Sequence, residues 1–111
     1  MTTEFRIYCG TDTNGHDVDA KQLALDLAVK FFPDGHTITE ELGRWALRDH
    51  YGPTSKIVTE PTIVISWIAS ELEVATGSAE SLVDRCAAAY KSGAYQEAVM
   101  ITCREIDAVF I

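Results

Sequence analysis

In KIVTEPTIVISWIAS, residues 56–70, apolar side chains fall on both parities of an extended chain: Ile63, Ile65 and Trp67 on one, Val64 and Ile68, with Ser66, on the other. Successive strand residues point to opposite faces, so a strand written this way is covered on both sides. Ile63–Ile68 is therefore predicted as a central strand. Pro61 has no amide proton to give to a ladder, and proline belongs at edges, bulges or strand starts. That places a break at Pro61, with residues 56–60 as an extension beyond the main sheet. Residues 43–60 then form a hairpin arm that turns at DHYGPT, residues 49–54.

The flanking segments supply partners for this strand. EFRIYCG (4–10) alternates, with Phe5, Ile7 and Cys9 on one face and Arg6 and Tyr8 on the other. A loop turning at Asn14-Gly15 leads to Asp19, a good N-cap for a helix over 20–32. Ala20, Leu23, Ala24, Leu27 and Phe31 make its stripe, and Leu25, Val29 and Phe32 widen it to a helix covered on most sides. Pro33-Asp34-Gly35 ends the helix, and HTITEELGRWALR alternates as a second strand. Ser78 is expected to cap a second helix over 79–91, with Leu82, Val83, Cys86 and Tyr90 inward and Gly93 ending it. QEAVMITCRE and DAVFI close the chain as a last strand, with a helix through the Ala-Val-Met run as the alternative.

The order β-α-β-β-α-β is the split βαβ arrangement. The expectation is one α+β, ferredoxin-like domain over residues 1–111, with two helices on one face of a four-stranded antiparallel sheet. The chain has no further element for the second face. A second copy is the cheapest cover, so a homodimer through that face is expected.

Nine Lys and Arg against seventeen Asp and Glu give a net charge of −8. Such a field repels phosphate backbones and excludes nonspecific nucleic-acid binding. No apolar run reaches the roughly 18 residues of a membrane span, and MTTEFRIYCG has neither the basic nor the apolar region of a signal peptide. No membrane partner is expected, and the reading is cytoplasmic. Cys9, Cys86 and Cys103 have no metal-type or redox-type spacing and are read as buried, inert thiols. No metal and no cofactor are expected.

Four short segments, IYCG (7–10), FFPDGHT (31–37), GRW (43–45) and TEPTIVI (59–65), occur in the order seen in an uncharacterised bacterial domain-of-unknown-function family. From Tyr8 onward the chain resembles that family in its Tyr-x-Gly opening, Phe-Pro-Asp-Gly-x-Thr turn, Gly-x-Trp and Glu-containing third strand. It departs where Arg44 replaces a frequent Gln, in a longer 46–55 loop, and in lacking the export signals of many members. The resemblance implies a ferredoxin-like fold and names no reaction. Dimers of that shape often enclose a ligand pocket between the sheet and the partner.

Candidate chemistry is sparse. His16, His36 and His50 fall on separate turns, and Glu40 and Glu41 face opposite ways in a strand. No phosphate loop or nucleophile elbow occurs. The densest polar and aromatic group is Arg44, Trp45, Arg48, His50 and Tyr51, with Lys56 and Glu60 returning opposite. Forked arginine donors beside rigid aromatics suit a partner surface or an anionic ligand. Arg6 and Tyr8, on the second face, join them as ligand-binding candidates, with Arg6 lining a pocket or pairing with an acid across the dimer. Two functions follow. The first is a binding protein for a small polar or anionic ligand or a protein partner, a phage-encoded sequestering protein being one form of it. The second is a small isomerase-like or lyase-like enzyme with Glu60 or His50 as its acid/base group.

Overall fold

A computed structural model describes residues 2–48 and 55–108, the side chains of 45–48 and 55–58 excepted. The chain runs β1 (Thr2–Gly10), α1 (Ala20–Phe31), β2 (Thr37–Arg48), β3 (Ser55–Ala69), α2 (Glu71–Ala75), α3 (Ser78–Gly93) and β4 (Met100–Ile106). The four strands form one sheet in the order β2-β3-β1-β4, and every neighbouring pair is antiparallel. This is the ferredoxin-like α+β fold, with one helix more than the two expected.

β3 is central, as its two-sided apolar pattern requires. Phe5, Ile7 and Cys9 of β1 pair with Trp67, Ile65 and Ile63 of β3, and this shared face packs against the helices. From α1 come Ala24, Leu27 and Ala28, and from α3 come Val83, Cys86, Ala87 and Tyr90. Trp67 stacks on Phe32 at 4.9 Å and on Phe5 at 6.1 Å between ring centroids. Each large side chain buried here contributes about 1.5–3 kcal/mol.

Pro61 does not break β3. The strand runs unbroken to Ala69, and Pro61 pairs with Leu42 of β2. Its carbonyl faces β1, where it accepts from the Thr11 amide. The missing N–H of Pro61 lies on that same side, just past the last β1–β3 pair, Gly10 with Thr62, and interrupts nothing. Residues 43–48 of β2 and 55–60 of β3 pair with each other as a two-stranded extension of the sheet, as expected. The turn at 49–54 lies outside the described residues, as do 109–111 of the DAVFI segment.

Other expectations need correction. Val29 is 62% exposed, so α1 has a wider wet side than its composition suggests. Cys103 is exposed on edge strand β4, while Cys9 and Cys86 are fully buried. Gly77, at φ 77°, rather than Ser78, occupies the N-cap of α3. Ser78 is its first residue, and its hydroxyl donates to the Glu73 carbonyl. β4 starts at Met100, because the chain before it is occupied elsewhere, as described below. The unforeseen α2 carries a sequence signature: Ser70 and Glu73 form a complete capping box.

On the second sheet face Val64 is only 1% exposed within a single chain, Ile68 and Tyr8 are half-buried, and Met100 is exposed.

Candidate functional site

Glu60 lies one step beyond the end of β1, on the sheet face that carries Arg6, Tyr8 and Gly10. Its cross-strand partner on β2 is Gly43. The nearest residue of that parity on β1 is Gly10. Two glycines therefore leave this part of the face without side chains. A Cβ on Gly10 would collide with Glu60 Oε1 and stand 2.9 Å from Cδ and 3.1 Å from Gln96 Oε1. The carboxylate lies directly over the Gly10 backbone, a close approach only glycine permits.

The Glu60 side chain is nearly enclosed, with the residue 8% exposed. Its Oε2 accepts from the Asp12 amide at 2.5 Å. Among the described residues the ion pairs are Arg6–Glu4, Arg104–Glu4 and Lys21–Glu40, and none involves Glu60. A buried carboxylate without a cation costs several kcal/mol. One charge-assisted hydrogen bond offsets only part of that.

Two loops wrap this niche. After β1, the amide and hydroxyl of Thr11 both donate to the Pro61 carbonyl, at 3.2 and 2.6 Å. After α3, Gln96 Nε2 donates to the carbonyls of Asp12 and Ala94. With its nitrogen fixed by two carbonyls, the Gln96 amide turns Oε1 toward Gly10 and Glu60. No donor meets that oxygen among the described residues. Two acceptor oxygens thus stand beside Gly10 with no donor for either among the described residues. From below, the buried Tyr90 hydroxyl donates to the Gly10 carbonyl. Burial pushes the Tyr90 phenol up from its ordinary pKa, and the charges of Cys9 and Glu60 add to the effect. Asn14 Nδ2 donates to the Tyr95 carbonyl at 2.6 Å, and the His16 ring stacks on Tyr95 with centroids 3.6 Å apart.

The expected site residues separate. Tyr8 and Arg6 share the face of Glu60 and lie progressively further along it. Arg6 is engaged within its own chain: Nε donates to Glu4 Oε1 at 3.1 Å, and Arg104 binds the same oxygen at 2.9 Å. Hydrogen bonding to Tyr8, then the Glu4 charge, raises the pKa of Arg6 further. Arg44 is exposed and pairs with Thr59, so its strand position alternates to the face opposite Glu60. Trp45 and Arg48 occupy β2 opposite Val58 and Ser55; their side chains, and that of Lys56, are outside the described residues. His50 and Tyr51 lie outside them altogether. Gly10, Asp12 and Gln96 were not foreseen. Gly10 ends the IYCG motif, while Gln96 carries no periodicity or motif that marks it.

A cleft of about 440 Å³ lies at the far end of β3 between Phe32, His36, Ser66, Trp67 and Glu73. Two of its polar groups are occupied. His36 Nδ1 donates to the Phe32 carbonyl, and Glu73 closes the Ser70 capping box.

No family model matches this chain, and no curated protein matches it. Among solved structures it is similar to a phage SAM lyase in complex with S-methyl-5'-thioadenosine. That match has 14% identity and a TM-score of 0.68, covering 94% of this chain and 81% of the other. It is similar also to a phage SAM lyase in the apo state, at 15% identity and a TM-score of 0.65 over 92% and 78% of the two chains. GlnK from B. subtilis aligns at 13% identity and a TM-score of 0.47 over 95% and 84%. These likenesses are of fold. No helix in the described residues is long and apolar enough to cross a membrane.

Proposed function

We propose that the protein binds a small cationic ligand of the S-adenosylmethionine type at Glu60 and acts on it as a lyase. The observation that carries this reading is the Glu60 carboxylate, 8% exposed, held by one amide and paired with no cation among the described residues. A buried polar group left without its partners calls for an explanation, and a ligand that supplies them is one. The adjacent Gln96 Oε1 adds a second acceptor, and the chain's charge of −8 draws cations. An anionic ligand, the chemistry suggested by the arginines of the arm, is repelled here. The similarity to a phage SAM lyase over 94% of the chain supports the choice of ligand class.

In this reading Glu60 anchors the ligand's ammonium group and so orients the carbon–sulfur bond. When that bond breaks, its electron pair leaves with sulfur, which loses its positive charge and becomes a neutral thioether, while the ligand's own carboxylate oxygen bonds to the carbon that sulfur leaves and closes a lactone. The step needs no protein nucleophile, which agrees with a sequence that offers no nucleophile elbow. Binding without turnover, the sequestering alternative, uses the same contacts. A second copy laid on the outer sheet face, where Met100 is 42% exposed, borders the niche and excludes water from it.

Calorimetric titration of S-adenosylmethionine into the wild type and Glu60→Gln tests the assignment of the site. Glu60→Gln keeps the size of the side chain and removes its charge, so affinity falls at least tenfold with the melting temperature unchanged or raised. Equal affinity in the two proteins contradicts the proposal.

A further inference from the structure

Tyr95 stands where a tyrosine is expensive. It follows the C-cap Ala94 of α3, at the position where the chain turns left-handed, and its φ is 55°. Gln96 N–H donates to the Lys91 carbonyl at 3.0 Å, the closing bond of a Schellman turn. Glycine or asparagine suits that position, and a bulky residue with positive φ is an outlier that its surroundings must hold in place. They do so from the loop after β1. Asn14, itself at φ 53°, holds the Tyr95 carbonyl, and Gln96 holds the Asp12 carbonyl. His16 lies against the Tyr95 ring at an interplanar angle of 7°. The stacked pair is nonetheless exposed, with Tyr95 at 47%. Backbone strain is therefore maintained to present an aromatic plane to solvent, on the two loops that build the Glu60 niche.

Resting on the function proposed above, we infer that the Tyr95–His16 pair is the base-stacking subsite of the niche, receiving a purine ring while Glu60 takes the ligand's cationic end. Stacking needs a flat, preset surface and tolerates a wet rim, and a parallel aromatic pair extends by one further ring at little entropic cost. Gln96 joins the two halves. Its neighbour Tyr95 supplies the plane, while its own Oε1 stands beside Glu60 Oε1 as an acceptor for hydroxyl groups between base and ammonium.

The subsite is separable from the fold, because Tyr95→Gly relieves the left-handed strain that tyrosine imposes. Two probes divide the niche: S-methyl-5'-thioadenosine, which has the base and no charge, and S-methylmethionine, a sulfonium amino acid without the base. Calorimetry on the wild type and the variants Tyr95→Gly, His16→Ala and Glu60→Gln supplies the readout. We expect Tyr95→Gly to melt no lower than the wild type and to bind S-methyl-5'-thioadenosine at least tenfold more weakly. His16→Ala weakens the same probe severalfold, and both variants bind S-methylmethionine within twofold of the wild type. If Tyr95→Gly binds the adenosine probe as the wild type does, while Glu60→Gln loses S-methylmethionine, the subsite is overturned and the Glu60 reading stands. If the wild type binds neither probe, both fall.

Discussion

One methyl group tests how Glu60 is held. Gly10→Ala places a carbon where Glu60 Oε1 now lies, and the flexible end of the glutamate must swing away from the Asp12 amide. Ligand affinity should fall more than tenfold while stability changes by about 1–2 kcal/mol, the cost of one displaced hydrogen-bonded group. Unchanged affinity in a titration would separate Gly10 from the site. The thiols divide at the same scale. A thiol reagent should modify Cys103 quickly in the native protein and reach Cys9 and Cys86 only in denaturant, because only Cys103 is exposed. Three fast native thiols would contradict the packing. Of the site, the sequence made Glu60, Tyr8 and Arg6 visible as polar or aromatic residues on strands of known parity. It concealed Gly10, Asp12 and Gln96, since their roles rest on a backbone amide, an absent side chain and a loop contact 84 residues apart. Residue type does not encode any of these.

Among the elements, α3 ties the core to the niche through one hydroxyl. Tyr90→Phe leaves the Gly10 carbonyl without its donor and should cost about 1–3 kcal/mol in urea unfolding, the usual penalty for an unmet buried group. The same core sets an alkaline limit. Burial raises the Cys9 thiol from 9.0 to about 12 and Cys86 from 9.0 to about 11, and Tyr90 shifts upward too. Unfolded thiols ionise near pH 9 and folded ones do not, so the unfolded state alone loses protons between these values. Stability is full below pH 9 and declines as pH rises from 9 toward 11. Denaturant midpoints over pH 8–10.5 should show the decline, and Cys86→Ala should make it shallower while Cys9 maintains the rest. Strand and helix types were legible from the pattern because periodicity reports which face is buried. Pro61 misled because a missing donor matters only on the side where a partner lies, and the sequence does not say where β1 ends. Val29 misled for a similar reason: an apolar residue at the stripe's edge does not require cover.

At the scale of the molecule, the order of elements fixed a ferredoxin-like sheet once β3 was recognised as central, and the function did not follow from it. What the fold adds is a niche at the end of β1 in which one carboxylate oxygen and one amide oxygen lie beside Gly10 with no donor among the described residues. The expected second copy on the outer face remains a proposal, tested by sedimentation: a mass above the 12.2 kDa of one chain at micromolar concentration supports it, and 12.2 kDa contradicts it. The most direct test of the central claim is incubation of the purified protein with S-adenosylmethionine, with S-methyl-5'-thioadenosine followed by chromatography. The account predicts steady accumulation of the thioether with the wild type, and at least a hundredfold slower accumulation with folded Glu60→Gln. Intact S-adenosylmethionine after prolonged incubation with the wild type, or equal rates for the two proteins, would contradict it.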